Sequence, residues 1–382
     1  MRIAVLGVGL IGGSIGLAAR ARMGARIAGY DRDPATLDQA LELGAVDEVA
    51  ETVADAVRDA SIIFCAAPVR VLPDLVAEAL AASDDEAVVT DAGSTKLGLL
   101  GAVSGLPGAE RFIGGHPLAG AETAGVRNAR ADLFEGARWF LTPGPDSLGL
   151  HYDLLQRTVA GLGARPQAID ADLHDRTMAT ISHVPHVIAN VLVTRARSAL
   201  AAEGEGERLP EVGPSFRDTT RVAGANPAIW GDIFVANADA VADEIDAVIE
   251  RLRASADVIR RRDPGAVGAW HREALEARRA LLETDLAGGE LRELRVGVEN
   301  RPGTVAEIAL ALGHAGVNIE DMGLYPATDM RTGAISLWIA GDEEAERAVG
   351  VVRELGHSAT IVSDSPSVPS GSIPRGRFAA RS

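Results

Sequence analysis

His116 is the residue of this chain whose surroundings best suit a general base. It stands between a pair of glycines and Pro117, in the segment Gly-Gly-His-Pro-Leu-Ala-Gly, with Glu122 shortly after it. Such neighbours favour a turn, which makes this histidine a poor core residue and a candidate for proton transfer. The unperturbed pKa of histidine, about 6.5, suits a base at neutral pH. The alternative is an ordinary loop histidine.

A second polar cluster, Asp-Ala-Gly-Ser-Thr-Lys at 91–96, directly follows an apolar segment predicted as a strand, residues 87–90. In an open parallel sheet the carboxyl ends of the strands border the ligand crevice, so Asp91 and Ser94 are expected near a bound ligand. Lys96 is the one lysine among 37 basic residues. We hypothesise that this loop needs a compact ammonium, which a guanidinium fork does not replace.

A third set of polar residues lies in a later, helix-rich part of the chain: Ser182, His183, His186, Arg217, Arg221 and Trp230. Arginine binds carboxylates through paired hydrogen bonds, so Arg217 and Arg221 are candidate anion ligands. Pro185 lies inside a predicted helix and is expected to kink it toward the cleft. The alternatives are surface ion pairs of the arginines with Asp218 or Glu211, and core packing for the tryptophan.

A glycine-rich turn near the N-terminus predicts a dinucleotide site. Gly7, Gly9 and Gly12 follow a predicted strand, residues 2–6, and open a predicted helix. In such a turn the first glycine allows the tight bend, the second lets a pyrophosphate approach the backbone, and the third allows close helix packing. The free amides at the helix N-terminus then face the phosphates. The alternative is that these glycines only make a turn.

Asp31 ends the second predicted strand, residues 25–30, and lies 19 residues after Gly12. An acid at this place accepts hydrogen bonds from the ribose diol and repels a 2′-phosphate, so NAD is favoured over NADP, although Arg32 is adjacent. The predicted NAD contacts are Gly7, Gly9, Leu10, Ile11, Gly12, Asp31, Ala67, Pro68 and Asp91.

The pattern of apolar segments divides the chain into three domains and a tail. Residues 1–167 alternate short apolar runs with amphipathic ones, which predicts βαβ units, a parallel sheet and a Rossmann-type α/β domain. Residues 168–286 are alanine-rich and strand-poor, which predicts an all-α domain whose apolar faces pack together or on a second subunit. Residues 290–363 have the pattern βαββαβ, a small ferredoxin-like α+β module, and residues 364–382 are expected to be disordered.

The sequence also predicts the bounds of one loop and of several helical segments. The interruption at 204–214, rich in glycine, proline and glutamate, is a predicted loop. The longer predicted helices are residues 72–82, 170–203, 226–262, 264–285 and 304–314.

Composition excludes several classes of protein. The 382 residues carry 54 acidic and 37 basic side chains, a formal charge of −17, which disfavours non-specific binding to nucleic acids or anionic membranes. Because Cys65 is the one cysteine, neither a disulfide within the chain nor a cysteine-rich metal site is possible. The histidines show no persuasive ligand spacing, so no metal is predicted. The chain has no signal peptide and no apolar run of about 18 residues, which predicts a cytoplasmic protein.

Together these motifs resemble those of the prephenate dehydrogenase family, which includes arogenate and cyclohexadienyl dehydrogenases. The resemblance covers residues 1–285 and is carried by GVGLIGGS (7–14), DAGSTK (91–96), GGHPLAGAE (114–122), SHVPH (182–186) and FRDTTRVA (216–223). It implies oxidative decarboxylation of prephenate to 4-hydroxyphenylpyruvate in tyrosine biosynthesis. In that reaction a hydride passes from C4 to NAD⁺ while CO₂ leaves and the ring becomes aromatic.

The same resemblance implies roles for individual residues. His116 is expected to hydrogen-bond the 4-hydroxyl of the substrate and to accept its proton, while Ser94 holds that hydroxyl or orients His116. Arg221 is the expected clamp on a substrate carboxylate. The other substrate contacts implied are Glu122, Ser182, His186 and Arg217.

The C-terminal module, with Asn-Arg-Pro-Gly-Thr-Val at 300–305, resembles an ACT domain, a class that binds amino acids for feedback control. The resemblance implies paired modules, hence a homodimer, with tyrosine or another aromatic amino acid as effector. The implied effector contacts are Asn300, Pro302, Gly303, Asn318 and Ile319. The alternative is a module that serves dimerisation alone.

Three other functions compete with prephenate oxidation. Arogenate dehydrogenase has the same fold and chemistry but an amino-acid side chain on the ring. A dehydrogenase of 3-hydroxy acids would rely on a lysine in the helical domain, and no lysine follows Lys96. A non-enzymatic amino-acid sensor would not need His116, Ser94 and Arg221 together.

Overall fold

The computed structural model describes residues 1–120, 123–202, 212–283, 291–299, 301–326 and 332–362. Two predicted site residues, Glu122 and Asn300, lie outside the described residues. So do most of the predicted loop at 204–214 and the predicted tail at 364–382.

The N-terminal domain is built on an eight-stranded sheet with the order β3-β2-β1-β4-β5-β6-β7-β8. Its strands are β1 (Arg2–Leu6), β2 (Arg26–Tyr30), β3 (Glu48–Val49), β4 (Ile62–Cys65), β5 (Val88–Asp91), β6 (Phe112–Pro117), β7 (Arg138–Pro143) and β8 (Arg165–Ala168). Its helices are α1 (Leu10–Met23), α2 (Pro34–Glu42), α3 (Val53–Val57), α4 (Leu72–Ala82), α5 (Leu97–Val103) and α6 (Gly149–Gly161). The Rossmann-type prediction is confirmed.

The strands are short and apolar because helices cover both faces of the sheet. All four residues of β4 and all four of β5 are buried. In β1, Ile3 and Val5 join the core on one face, while Ala4 and Leu6 join the core on the other. The sheet is therefore closed to solvent except at its ends, where ligands can approach.

The sheet is not wholly parallel, contrary to the prediction. β7 runs antiparallel to β6, with His116 opposite Phe140. A parallel return needs a crossover connection along a sheet face, and the described part of the connection holds only a 3₁₀ turn, Val126–Asn128. β6 itself is parallel to β5, so His116 lies at the carboxyl edge of the sheet together with the ends of β1, β4 and β5.

The second domain is helical, as predicted. Its helices are α7 (Ala171–Met178), α8 (Val184–Ala202), α9 (Pro214–Thr220), α10 (Pro227–Ala236), α11 (Ala238–Arg260) and α12 (Pro264–Glu283). The helix predicted over 226–262 is divided at Asn237, whose backbone leaves the helical conformation with φ −119° and ψ 31°. Within the described residues, no helix combines the length and the apolar character needed to cross a membrane.

Pro185 does not bend a continuous α-helix. A π-helical turn, Ala179–His183, connects α7 to α8, and Pro185 is the second residue of α8. Since proline has no amide proton to donate, the first turn of a helix tolerates it. Wide turns of this kind are frequent at functional sites, and this one carries two of the predicted site residues, Ser182 and His183.

The C-terminal module has the predicted element order βαββαβ. It contains β9 (Leu291–Glu299), α13 (Thr304–His314), β10 (Asp321–Pro326), β11 (Thr332–Ala340), α14 (Asp342–Glu354) and β12 (Ser358–Ile361). These strands form an antiparallel sheet in the order β10-β11-β9-β12. Two predicted effector contacts, Asn318 and Ile319, precede β10.

The module packs against the outer edge of the N-terminal domain. Arg157 on α6 donates a hydrogen bond of 2.6 Å to the carbonyl of Met322, and the Gly303 amide donates one of 3.1 Å to the carbonyl of Ser147. At Gly313 a side chain would come within 2.2 Å of the Ala168 carbonyl oxygen, so helix α13 lies directly on β8.

Candidate active site

The glycine-rich turn between β1 and α1 leaves the backbone open where phosphates would lie. Gly7 has φ +94°, and a Cβ there would lie 2.5 Å from the Ala66 carbonyl oxygen. A Cβ on Gly12 would lie 2.0 Å from the Gly7 carbonyl oxygen, whereas a Cβ on Gly9 would meet nothing within 4 Å. Gly7 and Gly12 are thus required by the fold itself, while Gly9 borders open space. Leu10 and Ile11 begin α1 and offer amides to the same space.

Asp31 follows β2 and faces the glycine turn. Its carboxylate accepts hydrogen bonds from the amides of Val8, at 2.8 Å, and Asp33, at 3.0 Å. Each oxygen retains a second lone pair for a ribose hydroxyl. Ala67 and Pro68 follow β4, and the loop they form passes against Gly7. The residues of this region therefore fit a dinucleotide.

Asp91 is placed differently from the prediction. It is fully buried and is ion-paired with Lys96, while it also accepts the amides of Gly93, at 2.7 Å, and Gly115, at 3.0 Å. A carboxylate so occupied holds the backbone of two strand ends together and is not exposed toward a cofactor. The predicted NAD contact at Asp91 is therefore wrong for its side chain.

Lys96 is also fully buried, which is unusual for a lysine. Its ammonium bonds the Asp91 carboxylate and donates a hydrogen bond of 2.8 Å to the carbonyl of Gly115. Burial lowers the pKa of Lys96, and the charge of Asp91 opposes that shift. Because Gly115 precedes the candidate base, the Lys96–Asp91 pair fixes the backbone from which His116 projects.

His116 lies on β6 and is 9% exposed, so it belongs to a strand and not to a loop. Its Nδ1 is 2.9 Å from Nε2 of His174, and the two rings meet edge to face. Its other nitrogen, Nε2, makes no hydrogen bond within the described part of the chain. Burial, followed by the charges of His174, Lys96 and His183, lowers the pKa of His116 well below the usual value for histidine. The imidazole is therefore neutral, and able to accept a proton, at pH 7.

His174 continues the hydrogen-bonded chain away from His116. Its Nδ1 is 2.7 Å from Oδ1 of Asp175. The Asp175 carboxylate also accepts the amides of Lys96, at 2.8 Å, and Leu97, at 2.9 Å. Since α7 belongs to the helical domain and α5 to the nucleotide domain, Asp175 joins the two domains at the site.

The helical domain contributes two further histidines to the site, His183 and His186. Asn237 donates to the carbonyl of Asp175, at 2.8 Å, and its amide lies 3.1 Å from Nδ1 of His183. Burial lowers the pKa of His183 to about 4. His186 stacks on Trp230 with ring centroids 3.4 Å apart, and its pKa is lowered by burial and then by the charge of Arg221. His186, Trp230 and Arg221 therefore share one wall of the cleft.

The remaining predicted residues are partly or fully exposed. Arg217 on α9 and Arg221, just after α9, are exposed, while Ser94 and Ser182 are half-buried. Ser94 makes no hydrogen bond to His116 in the described residues, and its expected role beside this ring stays a prediction. The ring contact belongs to His174.

Sequence reasoning missed three residues of this site: His174, Asp175 and Asn237. His174 and Asp175 lie 58 or more positions from His116 along the chain, so no local motif connects them. One signal was available, because a histidine and an aspartate occupy the buried face of α7 together with Met178. Two polar residues on an apolar helix face indicate buried hydrogen bonding.

The protein combines a Rossmann-type domain, a helical domain at the carboxyl edge of its sheet and a buried histidine where the two domains meet. This combination defines a nucleotide-dependent oxidoreductase whose site lies between two domains. The comparisons make this class specific. The nucleotide-binding domain of prephenate dehydrogenase matches residues 15–167, and the dimerization domain of prephenate dehydrogenase matches residues 170–272.

Individual relatives agree. The chain is 30% identical to the prephenate dehydrogenase of Bacillus subtilis over 366 residues, which cover 95% of this chain and 98% of the relative. The crystal structure of prephenate dehydrogenase from Aquifex aeolicus in complex with hydroxyphenyl propionate and NAD⁺ matches with a TM-score of 0.66 and 28% identity, over 74% of this chain and 98% of that one. Synechocystis arogenate dehydrogenase matches with a TM-score of 0.62 and 26% identity, over 74% and 100%. The chain belongs to the prephenate dehydrogenase family.

Proposed function

We propose that this chain is an NAD-dependent prephenate dehydrogenase, which converts prephenate to 4-hydroxyphenylpyruvate and CO₂. The observation that carries the proposal is His116, buried at the carboxyl edge of the sheet, with its Nδ1 held by His174 and its Nε2 without a hydrogen bond among the described residues. Relatives named as prephenate dehydrogenases and a solved relative bound to NAD⁺ support it.

Bound NAD⁺ supplies the acceptor for the hydride that leaves C4. His116 Nε2 accepts the proton of the 4-hydroxyl as that carbon becomes a carbonyl. The C–CO₂⁻ bond then breaks, its electron pair makes the ring aromatic, and the proton returns to the phenol oxygen. Ser94, on the loop after β5, is the proposed second contact of the hydroxyl. Because aromatisation supplies driving force, the protein mainly has to position C4 and the base.

Substrate recognition is assigned to the helical domain. Prephenate is a dianion, while the protein carries a formal charge of −17, so local positive groups must attract it. Arg221, next to the His186–Trp230 stack, is the proposed carboxylate clamp, with Arg217 on the preceding helix turn. Ser182 on the π-helical turn is proposed to contact the side-chain end of the substrate. Glu122 lies outside the described residues, and its role stays a prediction.

The test is an assay of NADH formation with purified protein. We expect turnover with prephenate and release of one CO₂ per NADH. Arogenate is the second candidate substrate, because an arogenate dehydrogenase is among the solved relatives. A higher kcat/KM with arogenate would replace the proposed substrate, and no NADH with either would contradict the proposed activity.

The NAD site has its own matched test. Gly9→Ala places a methyl group where nothing of the protein lies within 4 Å, so we expect a raised KM for NAD⁺ with unchanged stability. Gly12→Ala places it 2.0 Å from a carbonyl oxygen and should destabilise the domain. Equal affinity for NAD⁺ in Gly9→Ala and the wild type would contradict the assignment of this turn.

We propose that two chains associate through the helical domain, in line with the dimerization domain matched there. Exposed apolar side chains follow the long helices α8, α11 and α12: Val191, Leu192, Ile249, Leu252, Ile259 and Leu275. A soluble monomer rarely leaves so many in one region. Sedimentation equilibrium tests this, with a monomer at micromolar concentration as the contradicting result. The cytoplasmic location, expected from the lack of a signal peptide and of a long apolar run, stays a prediction.

We propose that the C-terminal module is an ACT domain that binds an aromatic amino acid. A cavity of about 210 Å³ lies between the module and the start of α6. Arg301 and Glu299 border it and could bind a carboxylate and an ammonium, while Leu148, Val305 and Leu324 provide apolar walls. Calorimetry with tyrosine, phenylalanine and tryptophan tests this, and binding of none would leave dimerisation as the role of the module.

Of the predicted effector contacts that the structure describes, one lines this cavity. Pro302 lines it, and Gly303 is wedged against the Pro145 carbonyl oxygen, where a Cβ would lie 2.5 Å away. Asn318 donates a hydrogen bond of 2.8 Å to Glu320. Ile319 is 7% exposed and packs in the core of the module, so its side chain does not suit direct contact with an effector.

A further inference from the structure

The two rings of His116 and His174 form a hydrogen bond whose direction matters for catalysis. His116 Nδ1 and His174 Nε2 are 2.9 Å apart, and both residues are almost completely buried. In a hydrogen bond between two neutral imidazoles, one nitrogen carries the proton and the other accepts it. If His116 Nδ1 is the donor, Nε2 is left with its lone pair. If it is the acceptor, Nε2 carries a proton and cannot act as a base.

Asp175 decides the direction. Its Oδ1 receives the Lys96 amide and lies 2.7 Å from His174 Nδ1, and its Oδ2 receives the Leu97 amide. A carboxylate has only acceptors, so His174 Nδ1 must carry the proton. Burial lowers the pKa of His174, which keeps the ring neutral with one proton. His174 Nε2 is then an acceptor.

We propose that His174 and Asp175 are positioning residues that hold His116 in the tautomer with Nε2 free to accept the substrate proton. This inference rests on the proposed function, in which His116 is the base. Asp175 orients His174, and His174 orients His116. When His116 takes up a proton, its Nδ1–H continues to donate to His174, which spreads the new positive charge toward Asp175.

The arrangement also couples the base to domain docking. Asp175 and His174 lie on α7 of the helical domain, whereas His116 and the amides of Lys96 and Leu97 belong to the nucleotide domain. Asn237, between α10 and α11, holds the backbone of Asp175 from the other side. His116 is thus held in the tautomer with a free Nε2 only while the two domains are in contact.

Few other ionisable groups face the hydrogen-bonded row of His116, His174 and Asp175. His183, from the π-helical turn, and Lys96, from the loop after β5, act on His116 by charge. Neither makes a hydrogen bond to its ring within the described residues. The tautomer of His116 is therefore controlled by His174, and a change at His174 or Asp175 has to appear in the pH profile of catalysis.

The first test compares two replacements of His174. The amide oxygen of glutamine can occupy the place of Nε2 and accept the His116 Nδ1 proton, while asparagine is too short to reach it. We expect His174→Gln to keep kcat within about tenfold and His174→Asn to lose about 10²–10⁴-fold, the usual value of acid–base catalysis. A merely structural histidine would not distinguish the two, so equal activities would overturn the proposal.

The second test replaces Asp175 by asparagine, which turns one acceptor into a donor. We expect the His174 ring to reverse its tautomer and kcat to fall by about 10²–10⁴-fold, as it does when the same change is made beside a catalytic histidine in serine proteases. Asp170→Asn is the matched control. Asp170 also accepts two amides of α7, at 2.9 and 3.1 Å, but contacts neither histidine ring, so its variant should keep kcat.

A third measurement is independent of turnover. With ¹⁵N-labelled histidine, the nitrogen spectrum of the enzyme above pH 7 should show His116 protonated at Nδ1, with the signal identified by its absence in His116→Asn. In Asp175→Asn the proton should move to Nε2. A wild-type His116 already protonated at Nε2 would overturn the proposal even if prephenate is turned over. The expected tautomer without any turnover would instead refute the proposed function alone.

Discussion

The two walls of the candidate active site differ in how much of their structure is settled before a substrate binds. On the nucleotide-domain wall, Lys96 and Asp91 are buried and bonded to each other and to the backbone, and the buried ring of His116 is held by His174. On the helical-domain wall, Arg217 and Arg221 are exposed, and His186 is half-buried against Trp230.

The difference follows from what each wall has to do. A base that acts on a C–H/O–H centre gains from fixed geometry and from exclusion of water, because reorganisation during the reaction is then small. A carboxylate clamp must release product and admit substrate, which favours a position open to solvent, and both candidate arginines are exposed. We therefore expect the buried wall to govern kcat and the exposed wall to govern KM.

Removing the base is expected to have the largest effect. His116→Asn leaves the glycine turn untouched, so NAD binding should be unchanged while kcat falls by about 10²–10⁴-fold. Steady-state kinetics and a fluorescence titration with NADH measure the two quantities on one preparation. An unchanged kcat would remove His116 from the chemistry, and with it the contrast between the walls.

Breaking the buried ion pair comes next. Lys96→Met leaves Asp91 charged and without its ammonium partner, which should cost about 3–5 kcal/mol of stability. Arg26→Ala is the control, because the Arg26–Glu48 pair is exposed and such pairs contribute about 0.2–1 kcal/mol. Urea unfolding of both variants measures the difference. Similar losses of unfolding free energy in the two variants would show that the buried pair contributes no more to stability than the exposed one.

Lys96→Arg tests the same wall more finely. The guanidinium keeps the charge but needs more room than the fully buried ammonium, so we expect lower thermal stability and lower kcat than in the wild type. A fully active and equally stable Lys96→Arg protein would refute the hypothesis that this loop requires a compact ammonium.

On the exposed wall, Arg221→Ala should raise the KM for prephenate by about ten- to a hundredfold, the value of a charged hydrogen bond, with a smaller change in kcat. Arg221→Lys keeps the charge but not the paired donors, so its KM for prephenate should lie between those of the wild type and Arg221→Ala. If Arg221→Ala lowers kcat and leaves KM unchanged, binding of a ground-state carboxylate is the wrong description.

The smallest expected effect is that of pH near neutrality. Because the pKa of His116 lies well below 6.5, kcat/KM should stay almost level from pH 8 to 6.5 and fall only at lower pH, as His116 becomes protonated. The free energy of unfolding should also fall as the pH is lowered. The buried neutral histidines bind fewer protons than the unfolded chain, so stability declines below pH 6.5, for His183 down to about pH 4. An acidic limb centred above pH 7 would contradict this.

Local features of the chain were predictable where the sequence carries its own signal. The helices at 72–82 and 304–314 have the predicted bounds, because proline and glycine mark their starts and the apolar spacing is regular. The nucleotide turn was predictable because two of its glycines, Gly7 and Gly12, are required by the backbone itself. The antiparallel β7 was not, since strand direction depends on the path of the connection and not on strand composition.

The amino-acid sequence by itself determined the order of the elements, the nucleotide turn, the candidate base His116 and the candidate anion-binding arginines, because these depend on residue type and short spacing. Only the tertiary structure decided which groups surround His116. His174 and Asp175 reach it across a domain boundary, and Asp91, predicted to face the cofactor, instead holds Lys96 inside the protein. Hydrogen-bond direction and burial arise from residues far apart in the chain, and no local pattern contains them.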